Sequence, residues 1–233
     1  MALTAAVFGN TGLVGSEILT TLLGLEAVKT VHTISRRAPK AESPKLNAII
    51  ETDTTKWTSN LASLSPFPSA VFSALGTTRA QAGGIENQWK IDHDLNIEVA
   101  KAAHAAGAKT FVFVSSGGTR GLFSNHVPYS RMKQGVEDSI KELDFEQAII
   151  LRPGFLQGKR EVGRPAEGLV GSVFQGLGKI SQGLKDTYTH DADVVARAAV
   201  SAALLAAEGK APSKYWVLEG SDIARLGRDE WKS

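Results

Sequence analysis

Short apolar runs alternate with amphipathic or alanine-rich stretches along this chain, and several runs end in glycine, serine or threonine. The runs predict β-strands at residues 1–8, 30–34, 47–50, 69–75, 109–114, 147–151 and 215–218. The stretches between them predict helices after residue 15, at 54–64, at 87–106, from 128 onward and at 191–207. Because strands and helices alternate, we expect an α/β fold around an open parallel sheet.

The first predicted strand runs into a turn with glycine at every third position, and an amphipathic helix follows at once. Such glycines allow unusual backbone angles, close approach of a phosphate and close packing of helix on strand. The positive end of the helix dipole then faces the phosphate. We therefore predict a dinucleotide-phosphate site at Gly9, Asn10, Thr11, Gly12, Leu13, Val14 and Gly15. An ordinary tight turn is the alternative, since glycine triples also occur there.

The second predicted strand ends at Ser35, Arg36 and Arg37. In many nucleotide-binding units an acidic side chain about 20 residues past the glycines binds the ribose hydroxyls. Here the position carries no carboxylate, and a guanidinium can bind a ribose 2′-phosphate and stack on adenine. The pair therefore favours NADP(H) over NAD(H). A solvated surface pair is the alternative.

Two further segments follow predicted strands at their carboxyl ends, where open parallel sheets bind their ligands. Asp53 comes just after the third strand, where it faces either the adenine ring or solvent as a turn residue. The fourth strand runs into a mostly small set of residues that leaves room for ribose and nicotinamide: Leu75, Gly76, Thr77 and Thr78.

Composition narrows the classes of function. The formal net charge of +2 is small and the basic residues are spread out, so nucleic acid is not predicted as a partner. The absence of cysteine excludes disulfides, thiolate metal sites and a cysteine nucleophile, and no metal site is predicted. No window approaches the roughly 20 apolar residues of a membrane-spanning helix. With 233 residues, 42% of them hydrophobic, we expect one domain with a substantial core.

The fifth predicted strand ends at Ser115 and Ser116, and a helix then opens with Tyr129 and Lys133. Residues four apart share a helix face, so the phenol and the ammonium are neighbours. Carbonyl reduction uses a phenol that donates a proton, an ammonium that lowers its pKa and holds the nicotinamide ribose, and a hydroxyl that binds the carbonyl. We predict these roles for Tyr129, Lys133 and a serine at the strand end, Ser115 or Ser116, although the Tyr-x-x-x-Lys spacing also arises by chance.

The sixth strand is broken at Arg152, Pro153 and Gly154, which with Phe155 begin a segment predicted to lie over the cofactor. Residues 154–190 are predicted to form a substrate lid and pocket wall. A homodimer contact or a contact with a membrane surface is the alternative for this apolar, glycine-rich stretch. Residues 221–233 are predicted to be a charged, loosely held tail.

The motifs also occur in a characteristic order: Gly-x-x-Gly-x-x-Gly from Gly9, Ala74–Arg79 with Ala82-Gly83, Ile91–Asp94, Ser115–Gly117, Tyr129-x-x-x-Lys133 and Leu151–Gly154. Together they resemble the atypical short-chain dehydrogenase/reductases related to the human Tat-interacting oxidoreductase. The stretches 35–37 and 53–57 are similar to the fungal branch of that family, small proteins of the mitochondrial outer membrane. The match runs nearly end to end.

The resemblance implies a doubly wound, Rossmann-like sheet in three α/β/α layers, bound NADP(H), and a catalytic site of Ser116, Tyr129 and Lys133, with Ser115 as the second choice of serine. It also implies a peripheral position on the mitochondrial outer membrane, with a cytoplasmic location as the alternative. Many relatives have an active-site asparagine where this chain has Asp92, and a carboxylate does not order a relay water as an amide does. Two functions are therefore carried forward: reduction of a small carbonyl compound, or an NADP(H)-binding regulatory or scaffold role with little turnover.

Overall fold

A computed structural model of the chain describes residues 3–121, 124–157 and 189–232. Its strands, in chain order, are β1 (Leu3–Phe8), β2 (Val28–Ser35), β3 (Leu46–Ile50), β4 (Ala70–Ser73), β5 (Thr110–Val114), β6 (Gln147–Leu151), β7 (Phe155–Gln157), β8 (Thr189–Asp191) and β9 (Tyr215–Leu218). Seven of them form a parallel sheet in the order β3-β2-β1-β4-β5-β6-β9, and β7 and β8 form a separate parallel pair.

The helices are α1 (Leu13–Gly24), α2 (Trp57–Ala62), α3 (Arg79–Ala82), α4 (Ile85–Trp89), α5 (Leu95–Ala105), α6 (Pro128–Glu142), α7 (Ala192–Ala207) and α8 (Gly220–Ala224). Short 3₁₀ turns lie at Thr54–Lys56 and Ser124–His126. Two π turns, Lys90–Asp94 and Arg225–Asp229, continue α4 and α8.

The hydrophobic core lies on both faces of the large sheet. Successive strand residues point to opposite faces, so Val7 packs with α1 and α7 while Phe8 packs with α2 and α5. The helix residues that cover the first face include Ile18 and Val195, and those that cover the second include Val99. The predicted three-layer, doubly wound α/β fold is confirmed.

The strand order reverses direction between β1 and β4, because β2 and β3 lie on one side of β1 and β5 and β6 lie beyond β4. Ligands of doubly wound folds bind outside the carboxyl ends of the strands at this point. The glycine turn that follows β1 and the loop that follows β4 therefore meet where a dinucleotide is expected.

Three parts of the fold differ from the sequence-based expectation. The helix expected at 87–106 begins at Ile85 and is interrupted by the π turn. The β7–β8 pair was not expected at all. The expectation of a loosely held tail is wrong for residues 221–229, which are helical and bury Ile223 and Leu226 completely.

Most of the predicted lid, residues 158–188, lies outside the described residues, and the lid stays a prediction.

Candidate cofactor and catalytic site

The glycine turn after β1 leaves no room for side chains at two positions. Gly9 has φ +78°, and a Cβ there would lie 2.6 Å from the carbonyl oxygen of Ala74, just after β4. A Cβ on Gly15 would overlap the carbonyl oxygen of Gly9. Ala74 in turn donates its N–H to the carbonyl of Phe8 at 3.0 Å. The two loops at the reversal point are therefore joined through the backbone, and the glycines are required by this contact.

The start of α1 has the properties of a phosphate site. Gly12 is the N-cap, with its N–H on the carbonyl of Gly9, and the first turn, residues 13–16, carries no acidic side chain. The first N–H groups of a helix have no partner inside it, and the helix dipole adds positive potential there. The side chain of Asn10 is 1% exposed, and both its polar atoms are without a hydrogen-bond partner among the described residues. Such an orphaned amide fits a ligand in this turn.

The turn residues Leu13 and Val14 point their side chains toward the core, and Leu75 is buried on the opposite face of the sheet. Any contact of these three with a cofactor therefore runs through the backbone. Thr11 is half-buried in the turn.

The β2 end presents two guanidinium groups. Arg36 and Arg37 are both exposed, and the hydroxyl of Ser35 donates to the carbonyl of Arg37 at 2.8 Å, which fixes the turn. No carboxylate occupies residues 35–37, as the sequence shows.

Asp53 has a local structural role. Its carboxylate accepts the hydroxyl of Thr55 at 2.6 Å and the N–H of Thr55 at 3.0 Å, capping the 3₁₀ turn. These two hydrogen bonds lower the pKa of Asp53. Of the two readings of the sequence, the structure favours the turn residue over the adenine contact for this side chain.

The loop after β4 is fixed by the segment around the π turn. The carboxylate of Asp92, 1% exposed, accepts the N–H of Thr77 at 3.0 Å, and the amide of Gln88 donates to the carbonyl of Thr77 at 3.3 Å. Thr78 caps α3 through its hydroxyl, which accepts the N–H of Gln81. The exposed Gly76 and half-buried Thr77 therefore lie on a loop whose backbone is fixed by Asp92 and Gln88.

The side chain of Asn96 forms hydrogen bonds with the π turn and with β4. Its side-chain amide donates to the carbonyls of Ile91 at 3.0 Å and Asp92 at 3.3 Å, and its oxygen accepts the hydroxyl of Ser73 at 2.6 Å. The side chain of Asn96 thus joins the π turn to the end of β4.

Helix α6 carries the predicted tyrosine and lysine. Tyr129 is exposed in the first turn, whereas Lys133 is 3% exposed and donates from Nζ to the carbonyl oxygen of Val114 at 3.2 Å. The same Nζ lies 4.7 Å from the ring centroid of Phe113. The ammonium is therefore held at the carboxyl end of β5, one helical turn from the phenol.

The two serines after β5 face different partners. The hydroxyl of Ser115 donates to the carboxylate of Glu137 at 2.5 Å and is buried. The hydroxyl of Ser116 is half-buried and has only a 3.5 Å contact to the carbonyl of Gly117 among the contacts of the described residues. Ser116 is accordingly the better placed of the two to bind a substrate.

A buried charge cluster lies beside these serines. The Glu137 carboxylate is fully buried and accepts Nη2 of Arg152 at 2.6 Å, Nε of Arg152 at 3.2 Å and Nε of Arg120 at 3.3 Å. Arg152 also donates from Nη1 to Glu219 at 2.8 Å, and Arg120 pairs with Asp138. We call Ser115, Arg120, Glu137, Arg152 and Glu219 the Glu137 cluster.

The charges of the cluster act on its members and on a neighbouring tyrosine. Although burial by itself lowers the pKa of Arg152, the hydrogen bonds and charges of Glu137 and Glu219 raise it above its usual value. Burial, together with the charge of Glu137, raises the pKa of Tyr215 to about 12. Arg152 was predicted to contact the cofactor, but its guanidinium is engaged by the two carboxylates.

The residues after Arg152 lead out of the large sheet. Pro153 is buried and its carbonyl accepts the N–H of Gly117 at 2.6 Å. Gly154 donates its N–H to Nδ1 of His190 at 3.1 Å, and Nε2 of His190 lies 2.9 Å from the carbonyl of Gly220. Phe155 is exposed in β7.

A protein-family comparison gives a direct match. The model of the NAD dependent epimerase/dehydratase family matches residues 5–194. The chain belongs to this family. Residues 5–194 contain every position singled out above for the glycine turn, the serine pair, the tyrosine and the lysine.

Several fungal proteins are similar to this chain over almost its whole length. "Protein fmp52-2, mitochondrial" of Aspergillus oryzae is 64% identical and covers 98% of this chain and 99% of its own. "Protein FMP52, mitochondrial" of Chaetomium globosum is 59% identical, with 97% of each chain covered. "Protein fmp-52, mitochondrial" of Neurospora crassa is 55% identical, with 98% and 97% covered.

Solved structures share the family fold. The Bordetella bronchiseptica enzyme WbmF in complex with NAD+ aligns with a TM-score of 0.66 at 18% identity, covering 97% of this chain and 78% of that one. A short chain dehydrogenase family protein from Francisella tularensis aligns with a TM-score of 0.65 at 15% identity, covering 96% and 100%. At these identities the similarity shows the Rossmann-like fold.

Within the part of the chain that the structure describes, none of the helices of this family member is long and apolar enough to cross a bilayer.

Sequence reasoning missed Glu137, Arg120, Gln88 and Asn96 as residues that build the site. The available signal for Glu137 was its spacing: it lies four residues after Lys133 and therefore on the same face of α6.

Proposed function

We propose that this epimerase/dehydratase family member binds NADP(H) and reduces a small carbonyl compound by hydride transfer. The observation that carries the proposal is the position of Lys133. Its buried ammonium lies at the carboxyl end of β5, one turn from the exposed Tyr129 and next to the Ser115–Ser116 turn. A buried ammonium beside an exposed phenol at a nucleotide-binding end of a sheet suits proton transfer.

The residues present fit a dinucleotide. The turn formed by Gly9, Gly12 and Gly15 admits a phosphate close to the backbone, and the orphaned amide of Asn10 offers further hydrogen bonds there. Arg36 and Arg37 favour the 2′-phosphate of NADP(H), because they are exposed where a ribose-binding carboxylate would otherwise stand. The NAD named for solved relatives such as WbmF supports a dinucleotide in this fold without deciding between the two.

Each side chain then has one task. Bound NADPH would supply the hydride that reduces the carbonyl carbon. Tyr129 would donate its phenolic proton to the carbonyl oxygen, and Lys133 would stabilise the phenolate left behind while it holds a ribose hydroxyl. The hydroxyl of Ser116 would donate a hydrogen bond to the carbonyl oxygen and stabilise the charge that develops on it.

Replacement of the phenol tests the reaction. We expect Tyr129→Phe to lower kcat by about 100-fold or more, because it removes the proton donor. The measurement is NADPH oxidation with a panel of aldehydes, ketones and quinones, together with calorimetric NADPH binding. Ser59→Ala, which removes an exposed hydroxyl on α2 away from the site, is the control and should leave kcat close to that of the parent. Equal turnover by Tyr129→Phe and the parent would refute the assignment.

The cofactor preference has its own test. Arg36→Ala with Arg37→Ala should weaken NADPH binding by on the order of 1.5–3 kcal/mol, since charge-assisted phosphate contacts are lost. NADH binding should change little. Lys29→Ala, at the opposite end of β2, is the control and should affect neither cofactor. Equal losses for NADPH and NADH would show that the arginines do not contact the 2′-phosphate.

The buried carboxylate of Asp92 favours a second candidate function, an NADP(H)-binding regulatory or scaffold protein with little turnover. Asp92 holds the backbone of Thr77 and offers no amide to order a relay water. The resemblance to Tat-interacting oxidoreductases points the same way. This candidate predicts tight NADPH binding with negligible oxidation across the whole carbonyl panel, and measurable turnover that depends on Tyr129 would exclude it.

We also propose a mitochondrial location, because the fungal relatives carry mitochondrial names. The finer proposal is a peripheral position on the outer membrane. Protease treatment of intact mitochondria should degrade the protein, and carbonate washing should release it. Protection from protease or recovery in the cytoplasmic fraction would contradict this location.

A further inference from the structure

Glu137 is an unusual residue in this fold because a fully buried carboxylate lies on a helix that could have buried an apolar side chain. Its two oxygens accept four hydrogen bonds, from Ser115, Arg120 and twice from Arg152. Breaking such a buried pair is costly, yet replacing the whole pair with apolar residues is often neutral or stabilising. A contribution to stability is therefore a weak explanation for the Glu137 cluster. The segments that the cluster joins give a stronger explanation.

The cluster joins three segments that carry the proposed site. Ser115 directly precedes Ser116, Glu137 lies one turn after Lys133 on α6, and Arg152 directly precedes Pro153 and Gly154. The backbone repeats these links, because Ser115 donates its N–H to the carbonyl of Leu151 at 2.8 Å. A single carboxylate thus fixes the turn after β5, the lysine helix and the exit of β6 relative to one another.

We propose that Glu137 is a positioning residue that sets the distance between the Ser116 hydroxyl and the Lys133 ammonium. The inference rests on the proposed function, which supplies the roles of those two groups. Glu137 itself does not take part in the chemistry, since its carboxylate has no exposed surface and both oxygens are occupied by donors.

The discriminating change removes the charge and keeps the shape. Glu137→Gln places an NH₂ group against arginine donors, so one of the links must open. Asp138→Asn is the matched control: it makes the same change in charge at the next residue of α6 and also loses a partner of Arg120, but it does not touch Ser115 or Arg152. Both variants are compared with the parent at a temperature where circular dichroism shows all three folded.

The first readout needs no turnover. Amide hydrogen exchange is measured at Ser115 and Gly117, whose N–H groups bind the carbonyls of Leu151 and Pro153, and is divided by exchange at Val7 in β1. A general loss of stability accelerates all three amides, whereas a loosened turn accelerates only the first two. We expect the ratio to rise in Glu137→Gln and to stay at the parent value in Asp138→Asn.

The second readout is kinetic. A small displacement of catalytic groups lowers kcat by up to about 100-fold. We therefore expect a large fall in kcat with a much smaller change in KM for Glu137→Gln, and kinetics close to the parent for Asp138→Asn. An unchanged exchange ratio, or a raised ratio with unchanged kcat, would overturn the inference.

A second variant covers the case in which Glu137→Gln does not fold. Ser115→Ala removes one hydrogen bond from the cluster and leaves both arginines paired, so it should fold and raise the exchange ratio at Gly117. If the parent shows no turnover at all, the proposed reaction fails, and NADPH binding becomes the readout. A raised ratio with weaker NADPH binding then supports positioning of Lys133, and unchanged binding overturns it.

Discussion

Two regions at the same end of the sheet are built in opposite ways. Around the β1–α1 turn, Gly9 and Gly15 bring backbone against backbone with no room for a Cβ, and Asn10 has a neutral side chain. Around β5, β6 and α6, the fully buried carboxylate of Glu137 pairs with the guanidinium groups of Arg152 and Arg120. Close backbone packing is the main feature of the first region, and a buried, paired charge is the main feature of the second.

The two regions should therefore tolerate different kinds of substitution. In the glycine turn, added side-chain volume should lower the free energy of unfolding, and a change of charge elsewhere should have little effect. In the Glu137 cluster, loss of a charge should lower the free energy of unfolding even when the side-chain volume is kept.

Removing the guanidinium of Arg152, which pairs with the buried Glu137, should be the most damaging change. We expect Arg152→Met to lower the free energy of unfolding by about 3–5 kcal/mol, because Glu137 stays buried and keeps only the hydroxyl of Ser115 and the weaker contact to Arg120 in compensation. Arg225→Met is the matched control, since Arg225 also binds two carboxylates but at the surface, and it should cost less than about 1 kcal/mol. Urea denaturation measures both, and equal losses would show that the burial of Glu137 adds nothing to the cost of losing its partner.

Adding one methyl group should distinguish the glycine turn. Gly15→Ala should lower the free energy of unfolding by about 1–3 kcal/mol, because its Cβ would overlap the carbonyl of Gly9. NADPH affinity should fall with it. Gly24→Ala, in the last turn of the same helix with open space around it, should be neutral or stabilising by up to about 1 kcal/mol. A stable, cofactor-binding Gly15→Ala protein would show that the close approach is dispensable.

The smallest effect concerns pH. His32 is fully buried, donates from Nε2 to Pro66 and accepts from Asn47, so it is neutral, and burial lowers its pKa. The folded protein then binds fewer protons than the unfolded chain at acidic pH. The contribution of His32 is complete above its ordinary pKa of 6.5 and is lost as the pH falls below that value, by at most about 1.4 kcal/mol per pH unit.

Urea unfolding of the parent and of His32→Gln across about pH 5 to 8 isolates this contribution as the difference between the two slopes. His126→Gln, an exposed histidine, is the control and should keep the slope of the parent. Identical slopes for the parent and His32→Gln would mean that the buried ring does not resist protonation.

The sequence predicted the features that depend on neighbours along the chain. Strands such as Gln147–Leu151 and Tyr215–Leu218 were predicted at their observed bounds, because an apolar run between turn residues is a local signal. The glycine turn after β1 was found for the same reason. Its close approach to Ala74 was not, since residues 9 and 74 are far apart in the chain.

The features that were missed depend on long-range partners. Glu137 looks like a solvated helix residue until Ser115 and Arg152 are brought to it by β5 and β6. Arg152 was predicted to contact the cofactor from its position after a strand, and the sequence did not show its pairing with Glu137 and Glu219. The β7–β8 pair joins residues separated by the whole 158–188 stretch, and no local sequence pattern predicts it.

The anchoring of that pair has an evolutionary consequence. Phe155 pairs with Thr189, and His190 links Gly154 to Gly220, so the two ends of the stretch 158–188 are tied to the sheet by residues outside it. Substitutions between the anchors leave those ties intact. We therefore expect evolution to vary the sequence of this stretch more freely than the cofactor turn, the lysine helix and the Glu137 cluster.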